Sequence, residues 1–114
     1  MSINKFLCTG NLVRDPVLRA LPSGTGVCEL RLAVNGMGRA GESGYINVRI
    51  YGKPGEAAAE HLRKGSLVAV DGRLEYAEWE TAEGAKRHDY TAIGNVQFLS
   101  PPDHVELEHE PVAA

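Results

Sequence analysis

The sequence contains no apolar run approaching the roughly 20 residues that a membrane-spanning helix requires. Its start, Met1-Ser2-Ile3-Asn4-Lys5, has neither the apolar core nor the cleavage site of a signal peptide. A cytoplasmic location and no membrane partner are therefore expected. Cysteine is scarce: Cys8 and Cys28 sit in apolar alternating stretches with no Cys/His ligand spacing around them. They read as reduced core residues, and neither a disulfide, a metal site nor a cofactor is expected. The four histidines, His61, His88, His104 and His109, are scattered, and no serine or cysteine has a base partner in the pattern. That leaves no constellation for nucleophilic catalysis and points away from an enzyme. Basic charge is not in excess either, since the net charge is −3. The sum is set by residues 100–114, where Asp103, Glu106, Glu108 and Glu110 stand without any Lys or Arg. Residues 1–99 hold 12 basic against 11 acidic side chains, so the body is close to neutral. For an anionic partner the distribution of charge matters more than this total.

What the sequence does have is turn chemistry and alternation. Thirteen glycines and six prolines in 114 residues point to short strands joined by turns, in one domain with one core. Phe6, Cys8, Gly10 and Leu12 alternate with Leu7, Thr9, Asn11 and Val13. This predicts a first strand over 5–13 that resumes after Asp15-Pro16 at 17–21. Leu7 and Val13 fall on the face away from the core, where a loop or another subunit would cover them. A turn at 22–26 leads to a second strand over 27–35, with Cys28, Leu30, Leu32 and Val34 inward and Glu29, Arg31, Ala33 and Asn35 outward. The third strand, 45–51, places Ile46, Val48 and Ile50 on one face and Tyr45, Asn47, Arg49 and Tyr51 on the other. Two aromatics and an arginine on a wet face fit two readings. One is an exposed face half covered by loops; the other is a platform where bases stack on rings and phosphates meet guanidinium groups.

Gly36-Met37-Gly38-Arg39-Ala40-Gly41 matches the string G-x-G-x-x-G after a predicted strand. A dinucleotide site needs a helix to begin there, and Glu42-Ser43-Gly44 leads straight into the Tyr45 strand instead. The stretch 36–44 is expected to be a flexible hairpin loop with Arg39 at its tip. After Gly52-Lys53-Pro54-Gly55, residues 56–64 read as the only helix, alanine-rich, with acids early, bases late and Gly65 as its C-cap. Glu56 and Glu60 have no nucleophile or metal partner nearby and read as a solvated helix face. A fourth strand over 67–79 is expected to bend at Gly72, and a fifth over 87–99 to bulge near Gly94. Tyr76 and Tyr90 read as core or interface residues. Ser100-Pro101-Pro102 ends the last strand, and 100–114 is expected to be a short, disordered acidic tail.

The order β-β-β-α-β-β is that of the OB-fold, an all-β five-stranded Greek-key barrel, here with one short helix between strands three and four. An α+β domain with an open sheet is the competing architecture. Gly10-Asn11-Leu12 with Asp15-Pro16, Ala33-Val34-Asn35, Tyr51-Gly52-Lys53, Leu62-Arg63-Lys64-Gly65-Ser66, Asp71-Gly72-Arg73-Leu74 and Val96-Gln97-Phe98-Leu99 follow one another in one unbroken order over residues 3–99. In these segments the chain resembles bacterial single-stranded DNA-binding proteins.

The resemblance implies an OB-fold homotetramer that wraps single-stranded DNA without sequence preference, in replication, recombination or repair, in the cytoplasm and on the nucleoid. It implies base stacking at Tyr45 and Tyr51, at the two ends of the third strand, and at Trp79 after the fourth. Arg31, Arg49, Lys53, Arg73, Lys86 and Arg87 would then meet phosphates, opposed by Glu29, Asp71 and Glu75 on the same faces. The chain departs from the family pattern in four places. Two of the stacking positions hold tyrosine where tryptophan or phenylalanine is common. It has no aromatic in 36–44, Glu75, Ala77 and Glu78 replace basic residues before Trp79, and the end lacks the aromatic tip through which longer acidic tails recruit partners. Tail-mediated partners are not expected. A primosomal accessory adaptor of the same fold and a paralogue used in DNA uptake or recombination are the alternative readings.

Overall fold

In the computed structural model, which describes residues 1–99, the alternating segments form six strands and one helix. The strands are β1 (Phe6–Leu12), β2 (Val17–Ala20), β3 (Gly26–Val34), β4 (Gly44–Tyr51), β5 (Leu67–Glu80) and β6 (Lys86–Phe98). The helix α1 (Lys53–His61) lies between β4 and β5. The acidic tail expected over 100–114 lies outside the described residues.

Strand neighbours run β1-β5-β6-β4-β3, and β1 returns to β3 through Asn11↔Ala33 and Leu12↔Leu32. This closes a five-stranded ring, the OB barrel expected from the element order, with β2 added on the outer edge of β3. Only β4 and β6 run parallel, at Asn47↔Thr91 to Arg49↔Ile93; the other pairs are antiparallel. The inward set of each strand builds one core, with Leu30, Leu32, Val48, Ile50, Val68 and Val70 almost fully buried in it. Cys28 belongs to the same core, while Cys8 is half-buried, and both are free thiols. Burial, with a smaller contribution from the Glu29 carboxylate, pushes the Cys28 thiol up to about 11. Cys28 should therefore resist thiol reagents at pH 8 until the chain is unfolded in denaturant. As pH rises from the ordinary thiol value towards 11 the unfolded chain loses this proton first, so the contribution of Cys28 to stability is lost over that window. Rapid labelling of Cys28 in the native protein would contradict its burial.

Three expectations need correction. The helix begins at Lys53 and ends at His61, three residues earlier than expected at both ends. Gly52 takes φ 76° and ψ −151°, its carbonyl accepts the N–H groups of Gly55 and Glu56, and Pro54 falls in the first turn, where no N–H is needed. Leu62 then turns extended and buries itself in the core, which stops the helix before Arg63 and Lys64. Gly65 is consequently not a helix cap. At φ 92° it turns the chain into β5, with its N–H on the Leu12 carbonyl. The rest of that corner is tied by Asp15 Oδ1 accepting the Lys64 N–H (2.8 Å), Ser66 Oγ accepting the Arg63 N–H (3.0 Å) and Asn11 Nδ2 donating to the Gly65 carbonyl (3.1 Å).

The second correction concerns Gly94, where there is no bulge. β5 and β6 keep one register from Val68↔Phe98 to Glu80↔Lys86, and Gly72 stands opposite Gly94. A Cβ on Gly94 would lie 2.3 Å from the Asp71 carbonyl oxygen, and one on Gly72 would lie 2.3 Å from that of Ile93. The two glycines let the strands approach closely where the barrel wall turns.

The third concerns Tyr76 and Tyr90, expected in the core or at an interface: neither belongs to the barrel core. They have inward parity, but β5 and β6 outrun the barrel, and residues 75–80 and 86–90 are exposed on both faces of a two-stranded arm. The Tyr76 and Tyr90 rings meet at 5.0 Å between centroids, with His88 5.8 Å from Tyr76. The Tyr76 hydroxyl donates to Glu78, and that bond is the main cause holding its phenol above the usual range, with smaller contributions from burial and Tyr90.

The loop after β3 is built rather than featureless: a short 3-10 turn spans Arg39–Gly41, and the Gly38 N–H donates to the Glu42 carbonyl at 2.7 Å.

Candidate nucleic-acid interface

Residues paired across neighbouring strands point to the same side of a sheet. The register therefore assembles the outer face of the barrel in rungs. One rung runs Arg73–Ile93–Arg49–Glu29 across β5, β6, β4 and β3, and the next runs Glu75–Thr91–Asn47–Arg31. Tyr45 follows beside Ala33 at one end of β4, and Tyr51 closes the other end on a rung with Val27 and Arg19. Six steps along the strand separate the two tyrosines, about 20 Å at the usual rise. Trp79 shares this parity further out on the arm, paired with Arg87. The three rings are 56% (Tyr45), 41% (Tyr51) and 50% (Trp79) exposed, so each keeps area open to a flat ligand.

Of the residues expected in the site, the structure brings Arg31, Arg49, Arg73 and Arg87 onto this face with the three aromatics. Lys53 starts α1 two residues after Tyr51 and is exposed beside it in the chain. Lys86 is different: it pairs with Glu80 and has the opposite parity from Arg87, so it lies on the other side of the arm. Sequence reasoning missed Arg14 and Arg19. Arg14 lines a cleft of about 170 Å³ with Glu29, Asn47, Arg49, Asp89 and Thr91, in the middle of the face. It follows the end of β1, outside any alternation, so no period marked it. Arg19 was legible as part of a strand, but only the β2–β3 pairing puts it near Tyr51.

The cations on this face are unequally available. Glu29 pairs with Arg19 at 3.0 Å and lies 3.9 Å from Arg49, which is also 3.8 Å from Glu75. These pairs are half exposed and individually weak, but they neutralise the centre of the face. Arg31 donates from Nη1 to Asn47 Oδ1 at 2.9 Å, and its guanidinium carbon lies 5.3 Å from the centre of the Tyr45 ring. Asp71 is paired with Lys5. Arg73, Arg87 and Lys53 have no ion-pair partner among the described residues. No cluster of metal-ligating side chains occurs among the described residues, and no helix there is long and apolar enough to cross a membrane.

An OB barrel with aromatics and arginines along one wall narrows the field to binders of flexible, ring-bearing anions. The sequence profile of the single-strand binding protein family matches residues 3–99. The chain belongs to this family. Among its relatives are the single-stranded DNA-binding proteins of Helicobacter hepaticus (40% identical, covering 77% of this chain and 55% of that one) and Aquifex aeolicus (39%, covering 95% and 78%). Single-stranded DNA-binding protein 2 of Listeria innocua is 37% identical over 91% of this chain and 69% of its own. The chain thus spans little more than half of the Helicobacter relative. The arginines of this face stand among carboxylates, Glu29 and Glu75 above all.

Proposed function

We propose that the protein binds and shields single-stranded DNA irrespective of sequence, in replication, recombination or repair. Its place would then be in the cytoplasm, on the nucleoid. Bases stack on Tyr45, Tyr51 and Trp79, while Arg49, Lys53, Arg73 and Arg87 draw phosphates to the same face; the task is binding, not chemistry. The observation that carries this reading is that three exposed rings and a row of arginines share one outer face, running from the barrel wall onto the β5–β6 arm, in a member of this family. A duplex hides its base faces and offers these rings nothing to stack on.

Fluorescence anisotropy with labelled oligo(dT) and a duplex of equal length tests the proposal. The single strand should bind and the duplex should bind poorly, with log affinity falling by about 0.7 per phosphate neutralised as log salt rises. Equal affinity for both, or none for oligo(dT), would sink the reading. In the same assay Glu75→Gln should strengthen binding by up to about fivefold, because it frees Arg49 on one side and removes a negative charge. A weaker complex would show that Glu75 supports the site.

Assembly is a separate proposal. Leu7 is 65% exposed in an open groove of about 470 Å³ that it lines with Thr9, Ala69, Asp71, Asn95 and Gln97. β1 pairs β5 along one edge, while the other edge of residues 6–10 has no strand partner among the described residues. An apolar groove beside a free strand edge suits a second copy of the chain, and pairing of dimers would give the tetramer. Light scattering at micromolar concentration should report about four chains; a stable monomer would overturn this.

A further inference from the structure

We propose that Arg31 is a positioning residue for the Tyr45 platform and not a phosphate contact; this rests on Tyr45 being a base-stacking site. Arg31 in β3 pairs with Asn47 in β4, one same-face step along the strand from Tyr45, so its side chain reaches Tyr45 on the diagonal. Two contacts hold the guanidinium there. Nη1 donates to Asn47 Oδ1 at 2.9 Å, and Cζ sits 5.3 Å from the ring centre. That distance is within the range of a cation–π contact. An arginine held in this way has part of its donor fork occupied and its charge directed at a ring. Arg73 and Arg87 have no such engagement and remain free to follow a phosphate.

The consequence for Tyr45 is directional. Its ring is more than half exposed and stands near the end of β4, where little else fixes it. With the guanidinium covering one face, an incoming base is left with the other. The ring also enters the complex already oriented, so less side-chain freedom is lost when the base arrives. Arg31 therefore adds to affinity through Tyr45, and its contribution should vanish when Tyr45 is gone.

A double-mutant cycle in oligo(dT) binding, repeated over a range of salt, separates the two roles. Arg31→Ala should weaken binding about two- to fivefold and leave the salt slope unchanged. Arg31→Ala added to Tyr45→Ala should cost nothing further. Thermal unfolding of each variant checks that the barrel is intact. If Arg31→Ala lowers the magnitude of the slope by about 0.7 and its effect multiplies with that of Tyr45→Ala, Arg31 is a phosphate ligand and the proposal is wrong. If Arg31→Ala has no effect while Tyr45→Ala weakens binding, the clamp is idle and the proposal is again wrong. Failure of the unmodified protein to bind oligo(dT) would overturn the functional reading itself, and this inference with it.

Discussion

Trp79 emission should fall strongly when oligo(dT) binds and change little with duplex. It is the only tryptophan in the chain, it is half exposed, and it stands on the face that carries Tyr45 and Tyr51. A base lying on the indole perturbs its excited state directly, whereas a phosphate held by Arg87 alone would not bring a ring against it. Base–aromatic platforms, those of this family among them, contribute about 1–3 kcal/mol per base when judged by removal of the ring. Trp79→Ala and Tyr51→Ala should each cost that much. Replacing Tyr45, Tyr51 and Trp79 together should weaken binding on the order of a hundredfold or more, leaving a residual, strongly salt-dependent attraction from the arginines. All these positions are exposed, so the melting temperature should hardly move. Unchanged Trp79 emission at saturating oligo(dT) would remove Trp79 from the platform.

Gly94→Val should damage the fold strongly. The added Cβ would lie 2.3 Å from the Asp71 carbonyl oxygen and 2.6 Å from the Gly72 Cα, both backbone atoms that no rotamer change can move aside. The β5–β6 ribbon would have to part at the rung that lets it turn, loosening Leu74 and Ala92 against the core. Overpacking of this kind costs about 1–3 kcal/mol and more when backbone must shift. For a domain of this size that is roughly 4–20 °C in Tm. Asn95→Ala, one residue on and exposed, should change stability by less than about 0.5 kcal/mol. A Gly94→Val protein that melts with the unmodified one would mean that the strands are not held as closely as described.

The candidate face is largely legible in the amino-acid sequence. Unbroken alternation over residues 45–51 places Tyr45, Arg49 and Tyr51 on one side of a strand, and closure of the barrel keeps that side outward. Parity cannot say where the barrel ends along β5 and β6. Tyr76 and Tyr90 have the inward phase of Leu74 and Ala92, yet no core lies opposite them. Gly94 breaks the hydrophobic period, which a bulge would also do; only the Gly72↔Gly94 rung shows that the cause is close approach. The separation of the cations into engaged and free ones is invisible in the sequence, because Arg19, Glu29, Arg49 and Glu75 come from four strands. Local sequence carries no record of which charges meet across a ring of strands.

The arm formed by the ends of β5 and β6 has a kinetic meaning. A two-stranded ribbon with no core beneath it is close to its own melting point even when the barrel is far from unfolding. Amide hydrogens at 75–80 and 86–90 should therefore exchange with solvent well before those of β3 and β4. Trp79 rides on this part, while Tyr45 and Tyr51 are anchored in the barrel wall. A bound strand would let go first at the arm and last at β4. The protein could then trade contacts at one end while holding at the other, and so creep along DNA without ever leaving it.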